Sequence, residues 1–224
     1  VSEFDAILFD AGGVLVLPDP TVLGPLLAHY GGAADVDTHV RAHYSAMAAK
    51  SRAGADETDW HSYNAAYVEV VGVHPSRSEL AELVLSRTRN AYLWRYPIPD
   101  SVEALRGLHE AGVPIGVVSN ASGQIEQTLM VAGVCQVGDG PHVPVRVIID
   151  SHVVGVAKPD PAIFDHALPA FAGIERGRIA YVGDSVTMDI GGATAAGLAP
   201  ILVDPYDDHA GAAFRRIRSL LDLL

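Results

Sequence analysis

A chain of 224 residues is long enough for one domain with a good hydrophobic core, or for such a core plus a small insert. Hydrophobic residues at 49% and charged residues at 19% exclude a disordered chain. The 15 Lys and Arg against 27 Asp and Glu leave a net charge of −12, which excludes nucleic acid and anionic membranes as default partners and leaves any phosphate ligand to specific donors or a metal.

The opening stretch, VSEFDAILFD, carries acids at Glu3 and Asp5 and no long apolar segment. No signal peptide or membrane span is expected, and a cytoplasmic location follows. Ala6–Phe9 is the first candidate strand. From Val16 to Leu93 the chain shows several helical patterns and no convincing strand. Asp19-Pro20 opens one helix, as N-cap and first helical residue. Glu79–Tyr92 is another, with Leu80, Leu83, Val84 and Leu85 on its apolar side. The chain rejoins the core near Tyr96-Pro97-Ile98-Pro99.

A well-signalled helix follows. Asp100 is its N-cap, Glu103 completes a capping box, Val102, Leu105 and Leu108 form the apolar face, and Gly112 ends it. Further strands are expected at Val113–Val118, Val145–Ile149, Ile179–Val182 and Ile201–Val203. The Gly- and Pro-rich stretch Gln136–Pro144 reads as a loop, and the tail His209–Leu224 as a final amphipathic helix. The single cysteine, Cys135, excludes an intrachain disulfide and a cysteine-based zinc site, and reads as a small buried or loop thiol. The strands are rich in Val and Ile, apolar on both faces, and separated by helical segments. That is how a covered parallel sheet reads, so the fold class is α/β with an inserted helical subdomain.

In an open parallel sheet, ligands bind at the carboxyl ends of the strands. Asp10 ends the first strand and Ser119-Asn120 the second. Lys158-Pro159-Asp160-Pro161 follows the third, and Gly183-Asp184-Ser185 ends the fourth, with Asp189 five residues past Asp184. Separate caps and turns account for Ser119 or Asp184 alone, and poorly for Asp10, Lys158 and Asp184 together. The set makes sense as a metal-assisted phosphoryl site. Asp10 and Asp184 supply hard oxygen ligands for Mg²⁺, which offsets repulsion between a phosphate dianion and an attacking carboxylate. Ser119, the Asn120 backbone amide and Lys158 would hold phosphoryl oxygens, and Gly12 and Gly13 let the backbone bend toward them.

The stretches "FDAGGVL", "VVSNAS", "KPDPAIF" and "VGDSVTMD", in that order, resemble the four motifs of the haloacid dehalogenase-like hydrolases. The resemblance implies a Rossmann-like core with a parallel five-stranded sheet, formed by residues 1–15 and 94–224. It implies a helical cap, formed by residues 16–93, inserted between the first two motifs. Asp10 is then the implied nucleophile and a metal ligand. Ser119 binds phosphate, Lys158 balances charge on Asp10 and phosphate, Asp184 ligates Mg²⁺, and Asp189 acts directly or through a water. The family usually has a second aspartate two residues after the nucleophile, the general acid and then base. Here that place is Gly12, which keeps a backbone carbonyl for the metal but supplies no proton shuttle. Positioned acid–base groups are typically worth about 10²–10⁴-fold in rate.

The reading that follows is a Mg²⁺-dependent phosphatase acting on a small phosphorylated metabolite, such as a sugar phosphate, through an aspartyl-phosphate on Asp10. The competing readings are a weakened relative that binds a phosphorylated ligand or a protein, and a metal-independent 2-haloacid dehalogenase. Around the insert, Asp19 reads as an N-cap, and His39 and His43 as members of a solvated helix face. Arg52, Trp60, Tyr63, Asn64 and Tyr67 are the other insert side chains weighed for substrate contact, with surface or core roles preferred for each.

Overall fold

The computed structural model describes residues 3–224. Strand β1 (Ala6–Phe9) leads through a glycine turn into β2 (Val16–Pro18). The chain then runs through α1 (Pro20–Ala28), α2 (Val36–Arg52), α3 (His61–Val70) and α4 (Ser78–Thr88), and returns along β3 (Trp94–Pro97). Strands β2 and β3 pair antiparallel. So a short strand does stand in the stretch that the sequence pattern left without one. After β3 come α5 (Pro99–Glu110), β4 (Ile115–Ser119), α6 (Ile125–Val131), β5 (Cys135–Val137), β6 (Val143–Val145) and β7 (Ile148–Asp150). Then follow α7 (Ser151–Val154), α8 (Ala162–Asp165), β8 (Ile179–Gly183), α9 (Gly191–Ala195), β9 (Ala199–Val203) and β10 (Arg215–Ile217).

The main sheet has six strands in the order β10-β9-β8-β1-β4-β7, and every pair in it is parallel. Its three central strands, β1, β4 and β8, are buried throughout. One face packs through Ile7, Phe9, Val117 and Val182 on Leu105, Leu108 and Leu129, and the other through Leu8, Val118 and Tyr181 on Phe164 and Phe171. From β1 the chain steps outward to β4 and β7, then returns to the other side of β1 with β8, β9 and β10. The strand order reverses between β1 and its two neighbours, where ligand crevices open in such sheets. Helices α1–α4 build a third apolar cluster around Leu27, Tyr63, Tyr67, Val68 and Leu85. Among the described residues, no helix is long and apolar enough to cross a membrane.

Several local expectations are corrected. The sheet gains a sixth strand because the tail does not form a helix. Gly211 sits at φ +84°, and the Asp204 carboxylate accepts from the Asp208 and His209 amides and from Arg216 Nη1. These bonds hold the chain close to β9, so Arg215–Ile217 pairs as an edge strand. A single 3₁₀ turn, Leu220–Leu223, closes the chain with a capping box from Ser219 and Asp222. Helix α5 begins at Pro99, one residue before the expected N-cap. Asp100 lies in the first turn and accepts from Ser219 Oγ instead of capping. The ends of the 136–144 loop form the small β5–β6 pair, and Val145 belongs to it rather than to the main sheet. Asp19 caps α1 as expected, through Thr21 N at 2.9 Å.

Helix α4 turns a different face inward. Leu80 and Leu83 are exposed, and the buried residues are Ala81 and Leu85. An apolar set spread over 80, 83, 84 and 85 covers more than half a turn, and packing on α3 selects only the 81/85 edge of it. Leu85→Ala should therefore cost about 2–5 kcal/mol in urea unfolding, whereas Leu83→Ala should stay within about 0.5 kcal/mol.

Candidate active site

Asp10 leaves the end of β1, where its amide donates to Val182 O of β8 at 2.8 Å. Its Oδ1 accepts from the next amide, Ala11 N, at 2.8 Å, and lies 2.9 Å from Lys158 Nζ. Lys158 is buried, and its ammonium also donates to Asp189 Oδ1 at 2.7 Å and to the Tyr181 hydroxyl at 2.8 Å. Tyr181 passes its own proton to Val118 O. The other carboxylate oxygen of Asp189 accepts from two amides, Asp184 N at 3.0 Å and Ser185 N at 2.9 Å. Both of its oxygens therefore accept hydrogen bonds from protein. Asn120, just after β4, clamps the backbone of Lys158 on both sides: Oδ1 takes Lys158 N at 2.8 Å and Nδ2 gives to Lys158 O at 3.0 Å. Ser119 is buried at the end of β4.

Asp10, Asp184 and Asp189 each offer an oxygen within 4.8 Å of the others. Burial pushes the Asp10 carboxyl up to about 7, with Lys158 opposing the shift and Asp189 and Asp184 adding to it. Burial also raises Asp184, with His43 opposing. Burial works against the Lys158 charge, but Asp10 and Asp189 outweigh it and hold its pKa above the ordinary value. Three buried carboxylates face one ammonium, so the cluster carries surplus negative charge that a hard cation would offset.

The cleft above these groups encloses about 300 Å³. Asp10, Gly12, Ser119, Asn120, Lys158, Asp184 and Asp189 all reach it, so the structure gathers these predicted residues at one place. Gly13 lies beneath Asp184. Its φ is +71°, and a Cβ there would meet Asp184 Oδ2 at 1.8 Å, so only glycine fits. Gly12 differs. Its backbone is not in the left-handed region, and the obstacle to a side chain is the Trp94 ring, 3.1 Å from where a Cβ would sit. Trp94 is the first residue of β3.

The histidines are a correction. Both are buried rather than on a solvated face. His39 bridges the Tyr67 hydroxyl at 2.8 Å and Ala33 O at 3.0 Å, a structural pairing. His43 joins the Tyr63 hydroxyl at 2.9 Å to Asp184 Oδ2 at 3.0 Å, with its ring edge-on to Trp94. Spacing of four on α2 matches spacing of four on α3, His39/His43 with Tyr67/Tyr63, and this was the signal available in the sequence. Lys50, Glu57 and Arg89 also reach the cleft, and sequence reasoning passed over all three. Of the insert residues weighed for substrate contact, Trp60 lines the cleft, Asn64 holds Arg89, Tyr63 and Tyr67 serve the histidines, and Arg52 is exposed.

A doubly covered parallel sheet with a carboxylate and lysine cluster at its switch point defines an α/β enzyme architecture. The comparisons make the class specific. A family model described as haloacid dehalogenase-like hydrolase matches residues 4–197, and the chain belongs to that family. It is 28% identical over 166 residues to a glyceraldehyde 3-phosphate phosphatase of Methanopyrus kandleri, covering 69% of this chain and 67% of that one. It is 31% identical over 154 residues to a phosphoserine phosphatase of Thermus thermophilus, covering 66% and 57%. Among solved structures, a HAD phosphatase from Thermococcus onnurineus superposes with a TM-score of 0.59 at 23% identity, over 98% of this chain and 95% of that one. A HAD family hydrolase from Deinococcus radiodurans with bound phosphate and sodium gives 0.60 at 24%, over 100% and 94%. These last two show the shared fold.

Two outcomes follow from the geometry. Gly12→Asp should destabilise the protein by about 1–3 kcal/mol, because the Trp94 ring must give way slightly to the new Cβ and a further carboxylate joins an already negative cluster. The loss should shrink when Trp94→Ala is combined with it, and a double-mutant cycle in urea would read that coupling. Second, the raised Asp10 carboxyl takes up a proton on folding, so its contribution to stability is present below about pH 4 and is lost as pH rises through about 7. Without metal, Asp10→Asn should raise Tm by about 2–4 °C at pH 8 and by less at pH 5, measured by calorimetry.

Proposed function

We propose that the protein is a Mg²⁺-dependent phosphatase that hydrolyses a small, sugar phosphate-like phosphomonoester in the cytoplasm, with Asp10 as nucleophile. One observation carries this reading. Lys158 and Ala11 N hold Asp10 Oδ1, while Oδ2 has no donor among the described residues and Asp10 lines the cleft. One oxygen is thus fixed and the other is free to attack.

The residues present fit a magnesium ion. The donors are hard oxygens, the cluster has surplus negative charge, and Asp184 Oδ1 has no protein donor. Asp10, Asp184 and the Gly12 carbonyl would hold the ion. Asp189, whose Oδ1 accepts from Lys158 and whose Oδ2 accepts from two amides, would act through a water. When bound, the ion offsets the repulsion between the phosphate dianion and the attacking carboxylate.

The chain's own residues do the rest. Asp10 Oδ2 bonds to phosphorus as the ester oxygen leaves, and water then cleaves the acyl phosphate. Ser119 holds a phosphoryl oxygen, with the Asn120 and Gly13 backbone nearby, while Lys158, whose three donors go to Asp10, Asp189 and Tyr181, acts on the phosphate through its charge. Position 12 gives no proton to the leaving group, and a side chain there would press its Cβ against the Trp94 ring. Esters of acidic alcohols should therefore react best. The phosphatase names of the two relatives support the same class. The missing acid–base side chain at Gly12 also favours a second reading, a weakened relative that binds a phosphorylated ligand without turning it over.

An assay with an activated aryl phosphate separates the two. Turnover should require Mg²⁺ and fall by about 10³-fold or more in Asp10→Asn. Turnover that survives Asp10→Asn overturns the nucleophile assignment. Absence of turnover on all phosphate esters favours the binding protein, and metal-independent halide release from a 2-haloacid would indicate the dehalogenase.

A further inference from the structure

Two more cations line the cleft. Lys50 of α2 and Arg89, which follows α4, both line it beside Trp60. Lys50 Nζ stands 3.7 Å from the centre of the Trp60 ring, and Arg89 Cζ stands 4.2 Å from the same centre. Lys50 is only 3% exposed. Its ammonium makes one hydrogen bond, to Glu57 O at 3.2 Å, and the Arg89 guanidinium makes one, to Asn64 Oδ1. Neither forms an ion pair with a carboxylate of the described residues. A lysine has three donors and an arginine five, so most of theirs remain for a ligand. Burial lowers the pKa of both groups, and the Arg89 charge adds to the effect on Lys50 while Glu57 opposes it. Two cations close enough to repel each other thus share one aromatic ring at the wall of the cleft that holds Asp10.

Buried cations without carboxylate partners are costly unless a ligand completes them. The Glu57 carboxylate is turned to Asn120, whose Nδ2 donates to Oε2 at 3.1 Å. Among the side chains that line the cleft beside Trp60, Lys50, Arg89 and Glu57 sum to one net positive charge, which matches a monoanion. The guanidinium fork matches a planar carboxylate. We propose that Lys50, Arg89 and Trp60 bind a carboxylate of the substrate, so that the substrate is a small phosphorylated acid rather than a neutral sugar phosphate. This assignment rests on the phosphatase reading above.

The test compares esters that differ in that one group. In the wild-type protein with Mg²⁺, kcat/KM for 2-phosphoglycolate should exceed that for ethyl phosphate by about 10-fold or more. Arg89→Gln and Lys50→Gln should each bring the ratio toward one, mainly through KM. Arg89 is half-buried, so Arg89→Gln carries the test if the Lys50 variant does not fold. A ratio near one, with aryl phosphate turnover intact, overturns the subsite and leaves the phosphatase reading standing. A preference for a bisphosphate of similar length over the acid overturns the choice of a carboxylate. If no ester is turned over, the phosphatase reading fails, and calorimetric titration with phosphonoacetate and ethylphosphonate reads the subsite instead. Tighter binding of phosphonoacetate by about 10-fold supports it, and equal affinities overturn it.

Discussion

The structure depends on one buried ammonium. Lys158 is buried at the wall of the cleft, a position that is unfavourable unless its charge is matched and its donors used. Asp10, Asp189 and Tyr181 meet all three donors, and each comes from a different part of the sheet end. Asp10 follows β1, Tyr181 lies within β8, and Asp189 sits in the turn beyond β8. Asn120, after β4, grips the lysine's backbone on both sides. A single cation therefore ties together the ends of the three central strands. Shifting any one of them would leave a charge uncompensated in the core.

That constraint also decides which oxygens are free. Asp189 uses one oxygen on Lys158 and the other on the amides of Asp184 and Ser185. It positions the lysine on one side and the Asp184 backbone on the other. Asp10 gives one oxygen to Lys158 and Ala11 N, and Asp184 gives one to His43. What remains toward the cleft is one oxygen from Asp10 and one from Asp184. The open face of the cluster is what the supporting network leaves unused. His43 and Trp94 extend that network into the helical segment, because one holds Asp184 and the other stands over Gly12. The segment between β2 and β3 is thus joined to the carboxylate cluster directly as well as through its connecting strands.

Much of this was legible in the sequence because a parallel sheet brings its strand ends together whatever the length of chain between them. Asp10, Ser119, Lys158 and Asp184 are far apart in sequence, and the topology alone predicts that they converge. Orientation was not legible. A spacing of five places Asp189 near Asp184 but does not say that its oxygens are used on amides. His39 and His43 lie on one helical face, and periodicity does not tell whether that face meets solvent or another helix. Their burial follows from Tyr63 and Tyr67 on α3, a long-range pairing. The edge strand β10 escaped notice for a simpler reason: three residues leave no measurable period, and the Asp204 bonds that hold it nearby are set by tertiary contacts.

The overall charge of −12 looks unsuited to an anionic substrate, and the geometry resolves the mismatch. Exposed carboxylates act through water and salt, which screen them beyond about 8–10 Å at physiological ionic strength. Groups in the cleft act across a partly dehydrated space, where the same charge is felt far more strongly. Lys158, Lys50 and Arg89 all line it. The carboxylate cluster lies among them, and a divalent cation would neutralise its surplus charge. An anion entering the cleft would meet these cations directly, while the acidic outer surface influences it only weakly. Net charge thus limits nonspecific partners, and local placement selects the specific one.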